Sequence, residues 1–189
     1  MLNLIFIFAL IIISIFATRN FDQDNTFVFV ILGDQATKHP QLINEKNVIK
    51  YSNYCLSSLA ILIKRLAIKH LRINEKHIGI FGKGQKKDFD ISSFLQNNKI
   101  ISQLTIDEIY ETEISQSELN FLLFQNVEDL IELMRSFILN SGCLEPNIIL
   151  FMYDHGDEHS FGNLKFLELY FGLLSIPHSS LHIYNESCK

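Results

Sequence analysis

Basic residues are scarce in this chain. Of its 189 residues, 16 are Lys or Arg and 21 are Asp or Glu, a formal net charge of −5. A nucleic-acid binder neutralises phosphates with a Lys/Arg surface, and this balance argues against that class. Low-complexity tracts and internal repeats are absent. Charged residues make up only 20% of the chain against 48% hydrophobic, so disorder is excluded as well. The length suits one domain able to bury a real core. Cysteine is limited to Cys55, Cys143 and Cys188. An odd count permits one disulfide at most and leaves at least one thiol over. The stretch Gly82-Lys83-Gly84-Gln85-Lys86-Lys87 lacks the P-loop pattern and reads as a solvated turn.

What the chain does have begins at its amino end. Residues 1–17 form a short apolar segment, uncharged throughout, that reaches Ala17-Thr18-Arg19. A run this short before a small residue reads as a signal peptide, with a retained membrane anchor as the alternative. No later stretch is apolar and long enough to span a bilayer. The expected destination is the secretory pathway: the endoplasmic reticulum lumen, a lysosome or vacuole, or the exterior.

Short apolar runs then alternate with helical patterns. Phe27–Leu32, His77–Phe81, Asn147–Tyr153 and Ser180–Tyr184 read as strands. Leu56, Leu59, Ile63, Leu66 and Ala67 recur at helical spacing between Ser52 and His70. Ser115-Gln116-Ser117-Glu118 resembles a capping box, opening a helix that carries Leu119, Leu122, Leu123, Leu130, Met134, Phe137 and Ile138. A further helix is expected over Leu164–Leu174, before Pro177. Between them, Gln85–Tyr110 is polar and long for a plain connection. Near-continuous apolar strands interleaved with helices predict an α/β fold, a mostly parallel sheet covered on both faces. In such sheets chemistry sits at the carboxyl edge of the strands.

Two strand ends carry reactive residues. The third strand runs into Asp154-His155-Gly156, and the fourth into Asn185-Glu186-Ser187-Cys188. If the two strands are neighbours, an imidazole and a thiol meet at one edge. A Cys needs a nearby base to become the thiolate, and His supplies it in cysteine hydrolases. Gly156 lets a substrate backbone approach, and the N–H groups of Gly156 and Cys188 are candidates for an oxyanion hole. The alternative reading makes Cys188 an unimportant terminal thiol. Cys55 and Cys143 read either as a disulfide or, for Cys55, as plain core. A competing motif overlaps the same histidine: His155-Gly156-Asp157-Glu158-His159 matches the H-x-x-E-H pattern of inverted zinc peptidases. That chemistry needs a helix, and a glycine inside a motif that follows directly on a strand disfavours one. The expected site therefore uses no metal and no cofactor.

The chain resembles the legumain family of cysteine peptidases, which includes asparaginyl endopeptidases and the catalytic subunit of the glycosylphosphatidylinositol transamidase. Ile148–Tyr153 with Asp154-His155-Gly156 looks like that family's apolar strand and histidine-glycine pair, and Tyr184-Asn185-Glu186-Ser187-Cys188 is similar to its nucleophile block. The earlier segments fit in order, so the resemblance covers roughly 26–188. It implies a caspase-like three-layer sandwich, incomplete at its carboxyl end, over 26–189. It also implies His155 as base, Cys188 as nucleophile and Glu186 in the pocket for the substrate side chain. The substrate would be a peptide or protein. A membrane enters only through a retained N-terminal segment or a transamidase complex. The family's arginine at the start of the first helix falls near Tyr54-Cys55-Leu56, where there is none, so asparagine preference is expected to be weak. With only Lys189 beyond the nucleophile, the chain as it stands is expected to turn over poorly, as a truncated or non-catalytic relative would.

Overall fold

The structure, a computed structural model, describes residues 22–33, 60–61, 63–84, 121–155, 160–161 and 164–188. At His155 and over 186–188 the description is of the backbone. The N-terminal apolar segment, Cys55, the stretch 85–110, Ser115–Glu118, Gly156 and His159 lie outside it.

Strand β1 (Thr26–Leu32) is the organising element, with all seven residues buried. Its β-branched and aromatic residues fit a pleated strand covered on both sides. Phe27, Phe29 and Ile31 enter one core, while Val28, Val30 and Leu32 enter a second core across the sheet. The polar atom it buries is satisfied locally, since the Thr26 hydroxyl donates to the Asp22 carbonyl at 2.6 Å. β2 (Ile78–Lys83) and β4 (Asn147–His155) flank it. β3 (Leu122–Phe124) lies outside β2, and β7 (Ser180–Cys188) outside β4. The order β3-β2-β1-β4-β7 is parallel at every pairing. β5 (Ser160–Phe161) and β6 (Leu164–Lys165) form a separate antiparallel pair.

Helices cover both faces. Residues 60–61 and 63–71 are helical (α1) and place Ala60, Ile63 and Ala67 against Val28, Val30 and Ile80. On the opposite face lie α2 (Val127–Ser141) and α3 (Phe166–Leu174). α2 buries Leu130, Ile131, Met134 and Ile138. Its Phe137 ring meets Phe29 at 5.6 Å and Phe27 and Phe81 at 6.4 Å, mostly edge-to-face, which sets α2 over β1 and β2. The helix–sheet–helix layering expected from sequence is present. Among the described residues no helix is long and apolar enough to cross a membrane.

Three expectations need correction. The helix expected to carry Leu122 and Leu123 begins later, because those residues pair with β2 as strand β3. Its cap is Asn126: the Asp129 N–H donates to Asn126 Oδ1 at 2.8 Å, and Asp129 Oδ2 accepts the Gln125 N–H at 3.2 Å. This is the reciprocal logic of a capping box carried by Asn and Asp. The helix ends at Gly142, whose φ of 78° is the left-handed turn that glycine adopts freely. The last helix starts at Phe166, since Leu164–Lys165 is already paired in β6. Finally, Cys143 is a free thiol, its Sγ 3.5 Å from Asn25 Oδ1, so the Cys55–Cys143 bridge is not formed.

Candidate functional site

The site is built by register. β4 and β7 pair without interruption from Asn147–Ser180 through to His155–Cys188. The alignment is fixed at the amino end, where the Ser180 hydroxyl donates to Asn147 Oδ1 at 2.7 Å and the Ser179 N–H donates to the Pro146 carbonyl at 2.9 Å. A slip of one residue would carry every β7 position to the other face. From those contacts the ladder climbs to its carboxyl end with no bulge, and His155 stands directly beside Cys188. Neighbouring strands lie about 4.8 Å apart, so register partners are side by side.

The pleat assigns these positions to a common face. Ile149, Phe151 and Tyr153 belong to the core under α1, and Tyr184 packs against it. By strict alternation, positions 155, 186 and 188 continue that face. Phe151 stacks on Tyr184 with ring centroids 5.2 Å apart and runs parallel to Tyr153 at 6.5 Å. This aromatic floor leads up to the strand ends, where Glu186 is the register partner of Tyr153. Of the sequence-derived residues, His155, Glu186 and Cys188 are therefore brought to one edge and one face. Gly156 lies outside the described residues.

One pairing escaped the sequence reading. The sheet order reverses between β1 and β4, the place where open α/β sheets leave a crevice beyond their strand ends. There Gly33 donates its N–H to the Tyr153 carbonyl at 3.1 Å, extending the β1–β4 ladder. Asp154 is only 4% exposed, and its carboxylate lies where a Cβ on Gly33 would sit, so any larger residue at 33 collides with it. The Leu32–Tyr153 register puts position 33 opposite 154, a juxtaposition that no local sequence pattern records. Asp154 belongs to the face opposite His155, one residue before it.

Other features are elsewhere. A cavity of about 690 Å³ opens at the other end of the sheet, lined by Lys64, Glu75, His77, Ile80, Leu122 and Asn140, away from His155 and Cys188. Among the described residues no group of three His, Cys, Asp or Glu could hold a metal. His155 is the last residue of β4, and the remaining positions of the zinc motif, 156–159, lie outside the described residues. No family model matches this chain, and neither a curated protein nor a solved structure resembles it closely enough to count as a match.

Proposed function

We propose that the protein is a cysteine endopeptidase of the legumain type on a caspase-like sandwich, acting through a Cys188–His155 dyad. The register of β4 and β7, which pairs His155 with Cys188, carries this reading. The thiol proton passes to the imidazole, and the thiolate attacks the carbonyl carbon of a peptide bond. The N–H groups of Gly156 and Cys188 receive the developing oxyanion. As the C–N bond breaks, the imidazolium returns its proton to the leaving amine. Water, deprotonated by the same imidazole, then releases the acid and restores the thiol. An amine in place of water would make the second half a transamidation. Glu186, one pleat below Cys188 on the same face, sits where the substrate side chain would be held.

Three cysteines in one molecule make the test internal. A peptidyl acyloxymethyl ketone alkylates a thiolate that lies beside a peptide-binding site. Peptide mapping should find the label on Cys188 rather than Cys55 or Cys143, and His155→Ala should slow Cys188 labelling by about 100-fold. Equal labelling of all three thiols, or labelling of Cys188 that ignores His155→Ala, would reject the dyad.

A further inference from the structure

Positive charge is concentrated where α1 passes into β2. Between positions 64 and 77 stand Lys64, Arg65, Lys69, Arg72 and Lys76 against Glu75 alone, a local charge of +4 in a chain of −5. The rest of the sequence therefore carries −9. The fold gathers these residues at one corner. The Ile73 N–H donates to the Ala67 carbonyl at 3.2 Å and Arg72 takes a φ of 55°, so the chain reverses tightly at the end of α1. Asn74 Oδ1 accepts the Lys76 N–H at 3.0 Å, and Lys64 Nζ meets Glu75 at 2.7 Å, folding the turn back against the helix. That ion pair also occupies the one carboxylate of the stretch.

Lys69, His70, Arg72 and Lys76 are exposed, and among the described residues none of them has a carboxylate partner. Ile68, 38% exposed, adds an apolar side chain beside Lys69. Cations in a last helical turn complement the helix dipole, but that effect dies away within the turn and does not reach Lys76. The acidic turn before β1 does not offset the patch either. Asp22 holds the Asn25 amide at 2.8 Å, and Asn25 meets Cys143 just past α2, on the other face of the sheet.

We propose that this corner docks on the anionic headgroups of a lipid bilayer. Position and charge both point to that occupant. Phe27 stacks on His77 with ring centroids 4.4 Å apart, so the basic turn lies beside the start of β1. The uncharged apolar segment 1–17 ends nine residues before Thr26, a reach of at most about 30 Å along the chain. Wherever that segment meets a bilayer, the basic corner is within reach of the same headgroups. A short apolar segment holds a membrane weakly, and a polybasic patch is the second contact that makes the attachment stable. The remainder of the molecule, at −9, is repelled by an anionic surface, which leaves the corner as the side presented. His155 and Cys188 stand at the opposite end of β4, about 30 Å along the strand, and face away from such a surface. The proposal is independent of the chemistry at Cys188.

Co-sedimentation of the full chain with vesicles tests it. The apolar segment partitions into any bilayer, so the ratio of binding between two lipid compositions isolates the corner. Phosphatidylcholine vesicles with about 30 mol% phosphatidylserine should bind roughly 100-fold more tightly than phosphatidylcholine alone, at about fivefold for each of Lys69, Arg72 and Lys76. Raising the salt to about 0.5 M should remove most of that ratio. Combining Lys69→Gln, Arg72→Gln and Lys76→Gln should bring it to within about threefold of unity with unchanged far-UV circular dichroism. Arg72→Lys keeps the charge and should keep the ratio, as should Lys165→Glu at the start of α3. A wild-type ratio near one, or one that the triple variant preserves, overturns the proposal. So does a ratio equally lost in Lys165→Glu. Binding to soluble heparin or an acidic peptide with no preference between the vesicles also overturns it, and gives the corner to a soluble polyanion.

Discussion

At its amino end the β4–β7 pair is stitched by hydroxyl and amide groups, whereas at its carboxyl end it sets a histidine beside a cysteine. The stitches are Ser180 to Asn147, Ser179 N–H to the Pro146 carbonyl, and the Ser179 hydroxyl to the Glu145 carbonyl at 2.8 Å. Every one of these groups has its partner within the fold. The far end instead gathers residue types whose chemistry needs something brought to them. The same ladder joins the two, so contacts at the amino end bear on the alignment at the carboxyl end.

Perturbing each end in turn sharpens that contrast. The largest effect is expected from His155→Ala, with peptide turnover by any active form of the protein falling about 10²–10⁴-fold while the thermal midpoint stays nearly constant. Gly33→Ala comes next, because the new Cβ must displace the buried Asp154 carboxylate. Chemical denaturation should show a loss of about 1–3 kcal/mol, with Cys188 labelling slowed as well. If stability fell and labelling did not, the β1–β4 crevice would be structural only. At the amino end, Ser180→Ala leaves Asn147 Oδ1 without its donor and should cost about 1 kcal/mol with labelling unchanged. Removing the helix cap with Asn126→Ala should cost a similar ~1 kcal/mol, read as a lower urea midpoint at constant slope. The smallest effect belongs to Lys64→Met. Its 2.7 Å pair with Glu75 is exposed on the carboxylate side, so the loss should stay below about 1 kcal/mol and shrink further in salt.

Much of the fold was legible because four strands are written as apolar runs. β1 and β4 are buried on both faces and cannot be mistaken for half-exposed segments. β3 was not legible. Leu122, Leu123 and Phe124 fit a helical pattern as well as a strand, and only the neighbour β2 decides between them. The Asn126 cap was not legible because Ser115-Gln116-Ser117-Glu118 carries the stronger capping-box pattern upstream of it. β5 and β6, two residues each, are too short to show any period. For the site, residue types at strand ends were visible, but their alignment was not. It depends on Ser180 meeting Asn147, a contact between residues 33 apart that no local pattern records. The seat of Asp154 on Gly33 likewise exists only once β1 and β4 lie together.

The uninterrupted β4–β7 ladder also sets what kind of sequence drift the protein can tolerate. Each residue of β4 is matched to the one 33 positions later. The Ser180–Asn147 and Ser179–Pro146 contacts at the start of the strands favour that offset. Insertions or deletions between 156 and 178 would change the count and leave His155 facing Cys188. A single deletion inside 147–155 or 181–188 would turn one of the two residues to the opposite face. Length variation should accumulate in the crossover and be purged from the strands, a pattern open to a deletion scan across 147–188.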